Sequence, residues 1–221
     1  MEKRFSLPGE KGYDKAYELA YKLACDRLAK IDDIKDQCRR SGARYHETAS
    51  KKKEIIIEYI NQPYRISLPE SEVSLVDSSE PVPIRDKILI LHYLISAKGT
   101  PLANELINFR ELEEGSVYAP TFAKRTIEPL LNNFGKNSEL LLEVGAKLGG
   151  HKADYGDTSI TIKAFPFVPV TIVLWRGDEE FAPQGNVLFD VTVSDYLPTE
   201  DITVLCETIT WRLIRYLKSQ Q

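Results

Sequence analysis

From Thr158 to Trp175 the chain reads TSITIKAFPFVPVTIVLW, and this stretch decides the fold class. Its first half alternates. Thr158, Ile160, Ile162 and Ala164 fall on one side of an extended chain, and Ser159, Thr161 and Lys163 on the other. A period of two marks a half-buried strand. Its second half, Val170–Trp175, is a continuous β-branched and aromatic run, which suits a buried strand. Val187, Phe189, Val191 and Val193 alternate again. A meander of strands is therefore predicted for the last third of the chain, closed by a helix from about Asp201.

Working outward, the period changes. Residues 13–30 carry Tyr13, Ala16, Tyr17, Ala20, Ala24 and Leu28 at three- and four-residue spacing, which predicts an amphipathic helix. A second helical piece holds Ile31, Ile34 and Cys38, and Gly42 is placed to stop it. Ile55, Ile57 and Tyr59 then alternate with Ile56, Glu58 and Ile60, and Tyr64, Ile66 and Leu68 with Arg65 and Ser67. Asn61–Pro63 reads as the turn of that hairpin. Arg85–Ala97 is apolar on most faces and reads as a buried helix, and two more helices are predicted at Phe122–Phe134 and Ser138–Leu148. The sum is an α+β fold, with a largely antiparallel sheet and helices packed on one face. The expected organisation is a single domain over residues 1–221, with residues 1–12 a loosely ordered arm.

Composition narrows the function. A chain of 221 residues, 43% hydrophobic, can bury a core without disulfide or metal staples. The net charge of −4 argues against a nucleic-acid or membrane partner. The basic stretch Lys35–Lys53 reads as a solvated helix end and loop. The N-terminus lacks the apolar core of a signal peptide, and the apolar runs Ile88–Ile95 and Ala164–Trp175 are too short to span a membrane. The expected location is cytoplasmic. Cys25, Cys38 and Cys206 are odd in number and not spaced as CxxC, so buried thiols are expected rather than a disulfide framework or zinc site.

Motif chemistry is mostly excluded. Gly145–Gly150 has the glycines of a phosphate loop, but His151 follows where Lys-Ser/Thr is needed, so the glycines read as a helix stop. GxSxG, HExxH and GxGxxG do not occur. Three features remain. His92, in LHYL, reads first as a core histidine and second as an axial or metal ligand in an apolar pocket. His151 leads a glycine-flanked loop with Asp154 and Asp157, either a cation or ligand site or simply aspartates capping turns. Trp175–Phe181 reads as a hairpin turn with exposed acids. It also sets Trp175, Arg176 and Phe181 beside Asp178 and Glu180, an aromatic floor with a few charges, as a small-molecule site requires.

These residues belong to a wider set. LHYL lies at Leu91–Leu94, NFREL at Asn108–Leu112, LGG at Leu148–Gly150 and GD at Gly156-Asp157. FP follows at Phe165-Pro166, LWRGDEEF at Leu174–Phe181, LFD at Leu188–Asp190 and YLPTED at Tyr196–Asp201. Together they resemble the prokaryotic domain of unknown function 3786, a family mostly from anaerobic bacteria and archaea, over nearly the whole chain. The resemblance implies no established reaction. It implies a setting, because some relatives carry an added iron–sulfur domain of the type found in corrinoid proteins of acetyl-CoA metabolism. This chain lacks the cysteine cluster for such a domain.

Three functions follow as expectations. The first is a binding or accessory module that holds a small molecule or cofactor. In its corrinoid form, His92 or His151 is the axial ligand. The second is a protein–protein interaction subunit using the basic stretch and a free sheet edge. The third is a metal-assisted enzyme using His151, Asp157, Asp178 and Glu180. The cofactor is not legible, and no dedicated metal site is expected. A pocket between the His151 loop and the Trp175–Phe181 turn requires the two to be adjacent.

Overall fold

The computed structural model describes residues 14–48 and 52–219. The expected arm at residues 1–12, Tyr13 and Lys51 lie outside them. Helix α1 spans Asp14–Leu28 and α2 spans Ile34–Ser41. Asp33 caps α2 by accepting from the Asp36 N–H, and Gly42 closes it at φ 70°. A Cβ on Gly42 would also lie 2.7 Å from the Pro166 Cβ, so both backbone and packing call for glycine there.

Strands β1 (Arg44–Glu47), β2 (Lys53–Tyr59), β3 (Gln62–Leu68) and β4 (Glu72–Leu75) form an antiparallel sheet in chain order. The predicted hairpin is β2–β3, but its turn is Ile60-Asn61, and Pro63 stands within β3 opposite Glu58. Tyr59 pairs with Gln62, which leaves a two-residue loop. Such loops place both residues in the left-handed region, and Ile60 and Asn61 have φ 46° and 59°. A β-branched residue avoids that region. Ile60 is held there by burial of its side chain and by its N–H, which bonds the Ala164 carbonyl at 2.9 Å.

Helix α3 (Ile84–Ser96) is the buried helix predicted from Arg85–Ala97. Beyond it come β5 (Leu106–Asn108), α4 (Gly115–Phe122), one π-helical turn at Ala123–Ile127 and α5 (Glu128–Phe134). The helix expected at Phe122–Phe134 is thus the second half of a longer helical run. Then follow α6 (Glu139–Ala146), β6 (His151–Ala153), β7 (Thr158–Phe165), β8 (Val168–Trp175) and β9 (Gln184–Asp190). A 3₁₀ turn at Val191–Asp195 leads into α7 (Thr199–Lys218). The second sheet has the order β5-β9-β8-β7-β6 and is also antiparallel.

The class is therefore α+β, as predicted, with the strands divided between two sheets. The sheets meet where Ile60 bonds Ala164 on β7. On the second sheet, Ile160, Ile162, Val170, Ile172 and Leu174 share the apolar face. Helix α6 packs there so closely that a Cβ on Gly145 would lie 2.2 Å from the Ile160 Cδ1. The other face carries Lys163 and the Thr161 and Thr171 hydroxyls, which bond each other at 2.8 Å.

A column of rings joins the layers. Phe165 on β7 stacks on Tyr59 of β2 at 4.8 Å and on Tyr93 of α3 at 4.1 Å. Tyr93 continues to Tyr196, and Tyr196 to Phe167. Helices α3 and α7 run antiparallel and are cross-linked by polar pairs: Arg85–Glu207 at 2.6 Å, Asp86–Arg212 at 2.8 Å and His92–Asp201 at 2.8 Å. The first is buried and the second is buried on its Asp86 side, with Arg212 half-buried, and such pairs fix how two helices register more than they add stability.

Candidate functional site

The third pair is the most exposed of the three. Tyr93 and Leu89 turn the buried face of α3 inward, and His92 stands on its rim with its side chain 24% exposed. Asp201 lies in the first turn of α7. An ionised carboxylate can only accept, so the 2.8 Å contact with Asp201 Oδ2 places the imidazole proton on Nδ1. That leaves Nε2 as the ring's second functional nitrogen. A carboxylate on Nδ1 is also what orients a histidine whose other nitrogen binds a metal centre or a polar ligand.

The pair lines a cleft of about 650 Å³, within the size range of small-molecule sites. Arg27 from the end of α1, Tyr118 from α4 and Glu200 from α7 share its wall. Glu113 and Glu114 come from the turn before α4, where Glu114 sits at φ 57°. The Glu113 carbonyl accepts from the Thr199 hydroxyl at 2.7 Å, which ties that turn to the start of α7. Lys98 also lines the cleft, and Asp195 holds it at 2.8 Å. Glu113, Glu114, Glu200 and Asp201 then outnumber Arg27, so the cleft favours a ligand that carries positive charge or hydrogen-bond donors.

The other predicted residues are placed elsewhere. His151 is exposed on edge strand β6, opposite Thr161, and Asp154 follows it, also exposed. Thr161 pairs with Thr171, four residues from Trp175, so strand spacings put His151 and Trp175 roughly 16 Å apart. Only the far end of the His151 loop reaches the turn. The Arg176 N–H donates to Asp157 Oδ2 at 2.8 Å, and the Asp157 N–H to the Leu174 carbonyl at 3.1 Å. Gly156 lies against the Trp175 ring. The Arg176 guanidinium is taken by Glu139 and Ser138. Asp178 accepts from the Glu180 and Phe181 N–H groups at 2.8 and 2.7 Å, an Asx turn. Those Phe181 and Glu180 bonds hold its carboxyl below the usual aspartate range. Trp175, Glu180 and Phe181 are exposed.

Among the described residues, no group of three or more His, Cys, Asp or Glu side chains is placed to hold a metal ion. Burial pushes the Cys38 thiol up to about 11 and the Cys206 thiol higher still, so neither is a ready thiolate. The sequence reading missed Asp201 as a site residue, along with Glu113, Glu114, Glu200 and Arg27. The sequence places Asp201 at a helix start and at the end of YLPTED, and neither gives it a ligand role. Its partner lies 109 residues earlier, and no local pattern links the two.

LHYL and YLPTED, distant in sequence, thus meet twice, as His92 with Asp201 and as Tyr93 with Tyr196. A family model described as "Domain of unknown function (DUF3786)" matches residues 33–212. The chain belongs to this family. No curated protein and no solved structure matches it. The DUF3786 match runs from the Asp33 cap of α2 to Arg212 on α7, so it contains both sheets and both partners of the His92–Asp201 pair. Arg27 and the rest of α1 lie before it. No helix among the described residues is long and apolar enough to cross a membrane.

Proposed function

We propose that this DUF3786 protein is a binding or accessory module that holds a small molecule or cofactor in the cleft at His92. The observation that supports the reading is the Asp201 bond to His92 Nδ1, which orients the ring and leaves Nε2 to a ligand. A corrinoid is the cofactor form of the proposal. His92 would hold its metal centre better than His151, whose imidazole stands on an open edge strand with no carboxylate partner among the described residues. The third expectation, a metal-assisted enzyme, loses support because His151, Asp157 and Asp178 do not gather.

The test begins with protein purified from its native cell without oxygen, read by visible spectroscopy and denaturing mass spectrometry. A bound molecule present in the wild type and lost in His92→Ala supports the proposal. Equal retention by His92→Ala moves the site elsewhere. If nothing is bound, cobalamin is titrated to high micromolar concentration. A spectral shift abolished by His92→Ala supports the corrinoid form, and an unchanged spectrum removes it.

A further inference from the structure

At the opposite end of the α3–α7 pair the walls of a second pocket change sign. We infer that this pocket, about 390 Å³ in volume, is an anion site for a small molecule bearing a phosphate or carboxylate group. Arg212 and Arg215 enter it from the last turns of α7, and Lys147 from the end of α6. Asp201 and Arg212 are eleven positions apart on one helix, about 16 Å along its axis, so this pocket is separate from the His92 cleft.

The pocket is built around Arg212. Its Nη2 donates to Asp86 Oδ2 at 2.8 Å, and its guanidinium lies 5.1 Å from the Tyr59 ring centre. The other Asp86 oxygen accepts from the Tyr59 hydroxyl at 2.9 Å. These contacts, with a further hydrogen bond to Tyr64, fix the plane of the guanidinium fork, and such a fork pairs with oxyanions. The pair offsets Asp86 against Arg212, which leaves Lys147 and Arg215 against Glu80 and a net positive wall. Lys147 rests its ammonium 5.6 Å from the Tyr216 ring centre. Lys147 and Arg215 each stand near a helix C-terminus, where a cation complements the dipole. That role alone does not require both to face one cavity with Arg212.

One further observation points the same way. The 13-residue helix α3 starts in this wall at Pro83, with no side chain capping it, and an uncapped N-terminus presents N–H groups to an anion.

The experiment uses the full chain and inorganic phosphate, followed by calorimetry and thermal unfolding at constant ionic strength against chloride. The expected result is saturable stabilisation at one site per chain. Lys147 and Arg215 are exposed, so Lys147→Gln/Arg215→Gln should fold and weaken binding at least about tenfold, or ~1.4 kcal/mol. The matched control Lys53→Gln/Lys163→Gln removes the same charge elsewhere and should bind as the wild type does. Acetate in place of phosphate identifies which oxyanion the fork prefers. Equal loss in both double variants reduces the effect to net charge and overturns the inference. So does binding of neither anion beyond chloride.

Discussion

Asp190 takes four hydrogen bonds on two oxygens. Its Oδ1 accepts from the Ala103 N–H at 3.2 Å and from the Thr192 N–H and hydroxyl at 3.1 and 2.7 Å, and its Oδ2 from the Asn104 N–H at 2.7 Å. This one carboxylate therefore ends β9, starts the 3₁₀ turn and pins the loop before β5. Burial alone would raise its pKa. The Thr192, Ala103 and Asn104 bonds outweigh burial and hold it below the usual range. A carboxylate depressed on folding stabilises above its unfolded pKa, and that stability is lost as pH falls through the folded value. Asp190→Asn should thus cost about 3 kcal/mol near neutral pH in urea denaturation. The gap to the wild type should close below about pH 4, and a gap constant with pH would refute the assignment. LFD was visible in the sequence, but its task was not, because all four donors lie outside the motif on a loop or turn with no periodicity.

Elements were legible where one period ran long enough. The helix of Arg85–Ala97, the β2–β3 hairpin and the β7–β8 meander all emerge close to their predicted bounds. Short elements were not. β1, β4, β5 and β6 span three or four residues each, too few to show a period, and they are strands because a neighbour pairs with them. The turn at Ile60-Asn61 moved because burial of Ile60 overrode local turn propensity. Gly145 tests packing at this scale. Alanine is the better helix former, yet its Cβ would meet the Ile160 Cδ1. Gly145→Ala should therefore destabilise by about 2 kcal/mol. In an Ile160→Val background, which lacks that carbon, the same change should be close to neutral in urea denaturation. An undiminished cost there would place the clash elsewhere.

At the scale of the molecule the ring column does the joining. Phe165 touches Tyr59 from one sheet and Tyr93 from α3 while belonging to the other sheet itself. Phe165→Ala should remove about 4 kcal/mol. Because Phe165 serves both sheets, far-ultraviolet dichroism and tryptophan fluorescence should report one shared, lowered midpoint. Separate midpoints would show that the sheets unfold independently of the column.

The sequence by itself determined the α+β class, the antiparallel pairing, most long elements and His92 as a residue of interest. Each of these rests on a period or a residue type read within one segment. Only the tertiary structure decided that the strands form two sheets and that His92 meets Asp201. It also separated the stretch from His151 to Phe181 into an exposed edge histidine and a turn held by its own aspartate. Strand register sets those distances, and register depends on which buried faces meet. The long-range contacts that bring His92 to Asp201 are ring stacking and the antiparallel pairing of α3 with α7. Neither leaves a local mark in the chain.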